Sequence, residues 1–155
     1  MAVDLTFIPH AGFGCARLGM TASEVIACFP GPSKRVRARI LFPDALLVAH
    51  LDAEGRVVLL ETHRDAPNVL FDGAPLCNAA AVSRLLAAGH VATAYASSHA
   101  TLDFIDLGLG FFLDGGIAGV TAYPVSYAGR LDMRPVTAHR VQDLPAWIRR
   151  DLGPA

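Results

Sequence analysis

The chain carries one short pattern twice. Asp44 and Asp52 bracket the apolar run Ala45–Leu51, and Asp106 and Asp114 bracket Leu107–Leu113 with the same spacing. In both places the second Asp opens a Gly-containing turn and a further apolar run follows. Each pattern is also preceded by a capped apolar helix. Such a repeat constrains the fold more than composition does, because each copy presents an apolar face that its neighbour can cover. We expect an α+β fold in a single domain, 1–155. It consists of two tandem helix-plus-antiparallel-sheet repeats packed together, with repeat 1 at about 12–62, repeat 2 at about 67–123, and a C-terminal extension, 124–155, carrying an amphipathic helix. The spacing leaves open whether the repeats share one sheet or face each other as two.

Local chemistry places the elements. Thr21-Ala-Ser-Glu24 fits a capping box, and Val25, Ile26 and Phe29 then fall at helical spacing until Pro30-Gly31-Pro32. Arg35, Arg37 and Arg39 alternate with Val36, Ala38 and Ile40, which predicts one strand over 35–40 with a wet face and a buried face. Strands are predicted over 45–51 and 56–62 around a hairpin turn at Asp52–Gly55. In the second copy Asn78 caps a helix that Gly89 ends. Strands follow over 91–95, 101–105, 109–113 and 117–123, with Asp114-Gly115-Gly116 as the hairpin turn. A last helix is predicted within 140–152, with Asp143 as its cap and Pro145 in its first turn.

Composition narrows the function classes. The hydrophobic fraction is 53% against 17% charged residues, and the mean hydropathy is +0.41, so disorder is excluded and apolar surface is in surplus. A net charge of −1 argues against nucleic acid or anionic membrane as a partner. The N-terminus has no basic start or long apolar stretch, and no run is apolar enough to span a bilayer. Cys15, Cys28 and Cys77 are odd in number and lack Cys-x-x-Cys spacing. They read as reduced thiols in a cytoplasmic protein.

The segment from Leu18 to Val25, continued to Phe29-Pro30-Gly31-Pro32, resembles the opening helix of BamE/SmpA-type small bacterial domains. A tandem pair of such units resembles the architecture of the β-lactamase inhibitor protein fold. The resemblance implies a helix beside a small antiparallel sheet in each unit and a habit of binding proteins. It carries over no functional residue. The chain lacks the paired cysteines of a secreted inhibitor and a lipoprotein cysteine behind a signal sequence.

Candidate functional residues are few. Lys34, Arg35, Arg37 and Arg39 form the densest positive group. Guanidinium groups on one strand face can grip an acidic protein or phosphates, and they equally suit a solvated edge strand that resists sheet-to-sheet association. Trp147 is either a lid on the core or an exposed anchor for a partner. Glu61, His63 and Asp65 stand at period two, so a strand reaching that far would put two carboxylates and an imidazole on one face, as metal binding or proton transfer requires. The same residues suit a polar strand end. His50 adjoins Asp52, where a hydrogen bond can trim the turn. Ser97, Ser98, His99 and Asp103 hold triad residue types, but neighbours on an extended chain point to opposite faces. Gly108 and Gly110 suggest a bulge or close backbone approach, and Cys77 stands at a helix start, which favours a thiolate but better suits a small apolar residue at the helix entrance.

The expectation is therefore a non-catalytic protein-binding module without a cofactor, of the immunity or inhibitor kind, with Arg35, Arg37, Arg39 and Trp147 at an interface with another, acidic protein. The alternatives are a small-molecule-binding domain with an apolar groove and a metal-dependent enzyme using Glu61, His63 and Asp65.

Overall fold

Short turns force successive strands antiparallel, and the chain meanders accordingly. A computed structural model describes residues 3–95, 100–124 and 136–153. The strands β1 (Phe7–Ile8), β2 (Gly12–Phe13) and β3 (Ala16–Arg17) form a small sheet, followed by helix α1 (Ala22–Ala27). Four strands follow: β4 (Lys34–Val36), β5 (Arg39–Phe42), β6 (Leu47–Leu51) and β7 (Val57–His63). A hairpin of β8 (Leu70–Phe71) and β9 (Ala74–Pro75) precedes α2 (Ala79–Ala87). Then come β10 (Ala92–Tyr95), β11 (Ala100–Phe104), β12 (Leu109–Leu113) and β13 (Ile117–Ala122). The strand β14 (Val136–Ala138), a 3-10 turn over Val141–Asp143 and α3 (Ala146–Leu152) complete the described elements. The fold is α+β, with antiparallel sheet predominating.

Nine of these strands make one sheet in the order β14-β10-β11-β12-β13-β7-β6-β5-β4. Each half contributes a helix and then a four-strand meander, and the last strands of the two meanders, β7 and β13, pair at the centre. Thr62 sits at this seam. Its Oγ1 donates to the Val120 carbonyl at 3.2 Å and accepts from the Val120 N–H at 3.3 Å. Gly119 permits the close approach, because a Cβ there would stand 2.4 Å from the Thr62 carbonyl oxygen.

The pairing recurs between the halves. The β5/β6 pairs run from Phe42↔Leu47 to Arg39↔His50, and the β11/β12 pairs include Phe104↔Leu109 to Thr101↔Phe112. Residue 42 maps to 104 and 47 to 109, an offset of 62 at every pair. Both following hairpins slip register at matching places, His50/Leu51 and Phe112/Leu113. The turns before β6 and β12 match as well. Leu46 N–H donates to Pro43 O and Gly108 N–H to Ile105 O, and both residues have positive φ, 51° and 66°.

Alternation divides the sheet's faces. Ile40, Phe42, Leu47, Ala49 and Leu60 point inward with Leu102, Phe104, Leu109, Phe111 and Val120, all essentially inaccessible. Val25 of α1, Val82 and Leu85 of α2 and Ile148 and Leu152 of α3 complete the same core. Phe29, just past α1, places its ring 4.6 Å from that of Phe42. On the opposite face the halves differ. Thr93 and Asp103 of the second half are 8% and 7% exposed, whereas Leu41, Val48, Leu59 and Glu61 of the first half are only half-buried.

Several local expectations hold. Thr21 and Glu24 form the capping box: Glu24 Oε2 accepts from the Thr21 N–H at 2.7 Å and Thr21 Oγ1 from the Glu24 N–H at 3.3 Å. Asn78 caps α2 by accepting from the Ala81 N–H, and Gly89 follows it at φ 95°.

Others are corrected. The strand predicted over 35–40 is a hairpin: Arg37 takes φ 57° and reverses the chain between β4 and β5, so Val36 pairs with Arg39. The predicted last helix is two pieces. Asp143 caps the 3-10 turn instead, its carboxylate accepting from the His139 and Arg140 N–H groups, and Pro145 is the N-cap of α3. The cysteines are not all free. Cys15, in the β2–β3 turn, is bridged to Cys28, the C-cap of α1, with 5.5 Å between Cα atoms. That separation is ordinary for a disulfide. The two stand thirteen positions apart in the chain, on either side of the start of α1.

Candidate binding groove on the open sheet face

The half-exposed face of the first half forms a groove of about 630 Å³. Strand alternation supplies its floor: Leu41 from β5, Val48 from β6 and, across the central seam, Phe112 from β12. Leu46, in the turn before β6, stands at its mouth. Cations line it, namely Lys34, Arg39 and Arg64, all exposed. Arg64 donates from Nη2 to the Asp114 backbone carbonyl at 2.7 Å. Among the described residues no carboxylate lies within ion-pair distance of any of the three.

Two acids line the groove, Glu61 and the exposed Asp114, and Glu61 is already matched. Glu61 Oε2 lies 2.9 Å from His50 Nε2. That hydrogen bond holds the Glu61 carboxyl below the ordinary carboxylate range, against the opposing pull of burial and with help from the charges of His50 and Arg39. His50 therefore serves Glu61 on the neighbouring strand. The turn is trimmed without it, since Asp52 Oδ1 accepts from the Glu54 and Arg56 N–H groups at 3.0 and 2.9 Å.

The four interface candidates separate. Arg39 lines the groove. Arg35 pairs with the core residue Ile40, so it points to the opposite side of the sheet, with its Nε donating to the Arg37 carbonyl at 3.4 Å. Arg37 occupies the turn. The expectation of three guanidinium groups on one strand face fails because the strand reverses at Arg37. Trp147 is half-buried against the core and lies outside the groove, which fits a lid better than an anchor.

Glu61, His63 and Asp65 do not converge. The strand ends at His63; Asp65 meets it from just beyond, its N–H donating to Nδ1 at 3.2 Å and its Oδ2 3.4 Å from the same atom, while Glu61 turns to His50. Among the described residues no group of three His, Cys, Asp or Glu side chains is placed to hold a metal ion. Ser97, Ser98 and His99 lie outside the described residues. Of the two roles weighed for Cys77, a thiolate is disfavoured: burial, the largest cause, with the nearby Asp65 charge, pushes its pKa up to about 11, so it is protonated at neutral pH.

Two groups carry structural roles. Asp106 Oδ2 lies 2.6 Å from His90 Nδ1, and its backbone oxygen lies 2.6 Å from His10 Nε2, which ties the β1–β2 turn and the end of α2 to the β11–β12 turn. Gly110 makes room for two polar side chains on the second half's buried face. A Cβ there would stand 2.4 Å from Thr121 Oγ1 and 2.7 Å from Asp103 Oδ1. Both Gly108 and Gly110 thus mark close approaches, as their residue type suggested.

The sequence reading missed Leu46 and Phe112, and it gave His50 to the turn at Asp52 where the structure gives it to Glu61. The contact between His50 and Glu61 could have been found by counting outward from the Asp52–Gly55 turn, which sets Val48 opposite Glu61 and His50 two pairs nearer the turn on the same face. Phe112 left no local signal, because it reaches the groove only through the pairing of β7 with β13. The chain matches no family model, no curated protein and no solved structure.

Proposed function

We propose that this chain is a non-catalytic protein-binding module, acting in the manner of an immunity or inhibitor protein through the open face of β5, β6 and β7. The observation that carries this reading is an apolar floor edged by cations with no carboxylate within ion-pair distance among the described residues, on a part of the sheet left half-exposed. Such a surface suits a polypeptide segment that brings a carboxylate beside an apolar side chain.

The two halves are read as copies of one unit, of the kind that BamE/SmpA-like domains and the β-lactamase inhibitor protein fold resemble. Support comes from the shared order of elements, the constant offset in the pairing and the matching register slips. In this reading the second copy covers its outer sheet face and the first keeps that face for a partner.

Among the described residues no helix is long and apolar enough to cross a membrane. The cytoplasmic placement rested on reduced thiols, and the Cys15–Cys28 bridge removes that ground. We therefore favour an oxidising compartment.

The test is site-specific photo-crosslinking in the native host, with the probe at Val48 and a control probe at exposed Lys34→Glu, Arg39→Glu double-variant background. Capture of a protein at Val48 that is lost in the charge-reversed background supports the reading. Capture that ignores the reversal, or none at all, contradicts it. A second reading rests on the groove's volume, which lies in the range of small-ligand pockets. An amphiphilic carboxylate would then raise the melting temperature without any protein being captured.

A further inference from the structure

Leu46 is anomalous for its place in the fold. It is an apolar side chain, 38% exposed, on a backbone at φ 51°. A Cβ makes that left-handed region unfavourable, which is why Gly usually occupies it. The corresponding turn of the second half makes the same hydrogen bonds. Leu46 O accepts from the His63 N–H and Gly108 O from the Tyr123 N–H, each at 3.0 Å, yet Gly108 holds the left-handed position there. The fold thus has a glycine solution to this turn and uses it once. At Leu46 it accepts an unfavourable backbone and sets a large apolar side chain at the mouth of the groove. Strain of this kind, held next to a candidate site, points to function.

Resting on the binding reading above, we infer that Leu46 is the anchor by which the groove seizes an acidic–apolar segment of a partner protein. The partner's apolar side chain packs against Leu46, Leu41 and Val48, and its carboxylate meets Arg39 and Lys34. The occupant is assigned on charge complementarity. Lys34, Arg39 and Arg64 have no carboxylate within ion-pair distance among the described residues, the floor is apolar, and of the two acids in the lining Glu61 is bound to His50, which leaves the cations in excess. A second copy of this chain would bring the same cations against themselves. A purely apolar partner would leave them desolvated and unmatched.

The experiment pans a random peptide library displayed on phage against the full chain and measures the enriched peptides on wild type, Leu46→Asn and Arg39→Glu. Asn accepts the left-handed conformation, so Leu46→Asn keeps the turn while removing the apolar contact, and circular dichroism with thermal melting checks that each variant is folded. The expected peptides combine Asp or Glu with Leu, Phe or Trp. Their affinity falls by about tenfold or more on Leu46→Asn, the loss of one buried leucine contact, and on Arg39→Glu, with marked salt dependence in wild type. Peptides that lose affinity on Arg39→Glu but not on Leu46→Asn overturn the anchor and leave the groove standing. Failure to enrich any peptide, or peptides indifferent to both substitutions, overturns both. A wild-type dimer that Leu46→Asn converts to monomer makes a second copy the occupant and overturns the assignment.

Discussion

Asp103 shows how strongly a single residue responds to its place on the sheet. It is 7% exposed, and burial raises its pKa from the ordinary 3.8 to about 7. The folded chain therefore holds a proton between these values that the unfolded chain has released, and folding stability falls as pH rises through that window. The full effect is on the order of 4 kcal/mol at most. Asp103→Asn, with the same shape and no charge, is expected to flatten the stability–pH curve between about pH 4 and 7 and to exceed wild type in stability above it. Denaturant melts across pH check this, and equal slopes for both proteins would contradict it. The acid was legible in the sequence, but its burial was not, because that depends on Gly110 making room for it on the neighbouring strand beside Thr121.

Among the elements, α1 is the least able to stand alone. It spans six residues and buries only Val25 within its helical turns, so propensity and packing contribute little. Its start is fixed by the capping box and its end by the Cys15–Cys28 bridge. Closing a loop of this length is worth about 2–3 kcal/mol through the unfolded state, so reduction, or a Cys15→Ser, Cys28→Ser double substitution, should lower stability by about that amount in denaturant melts. A wild-type protein indifferent to reductant would contradict the bridge.

The elements also show where sequence reading works. Capping boxes, Asp–Gly turns and period-two strands are set by neighbours, so α1, α2 and most strands could be placed from residues alone. The β4–β5 hairpin escaped because Arg37 takes a conformation usually marked by Gly, and the alternating arginines imitated a continuous strand. The bridge escaped because its cysteines stand thirteen positions apart in the chain.

At the scale of the whole molecule, the central event is the pairing of β7 with β13. It joins two meanders into one sheet, delivers Phe112 to the first half's groove and leaves the halves unequal on their outer faces. This arrangement was beyond local reading, since the repeated Asp-bracketed pattern says nothing of how the two halves meet. It also gives the proposed binding its location, the open face of β5–β7, while the face covered by α1, α2 and α3 serves the core. Hydrogen exchange of the full chain, free and bound to a peptide selected for it or to its crosslinked partner, tests that claim most directly. The account predicts slowed exchange confined to residues 39–51 and 57–64. Slowed exchange over α2 and α3 instead, with those strands unchanged, would contradict it.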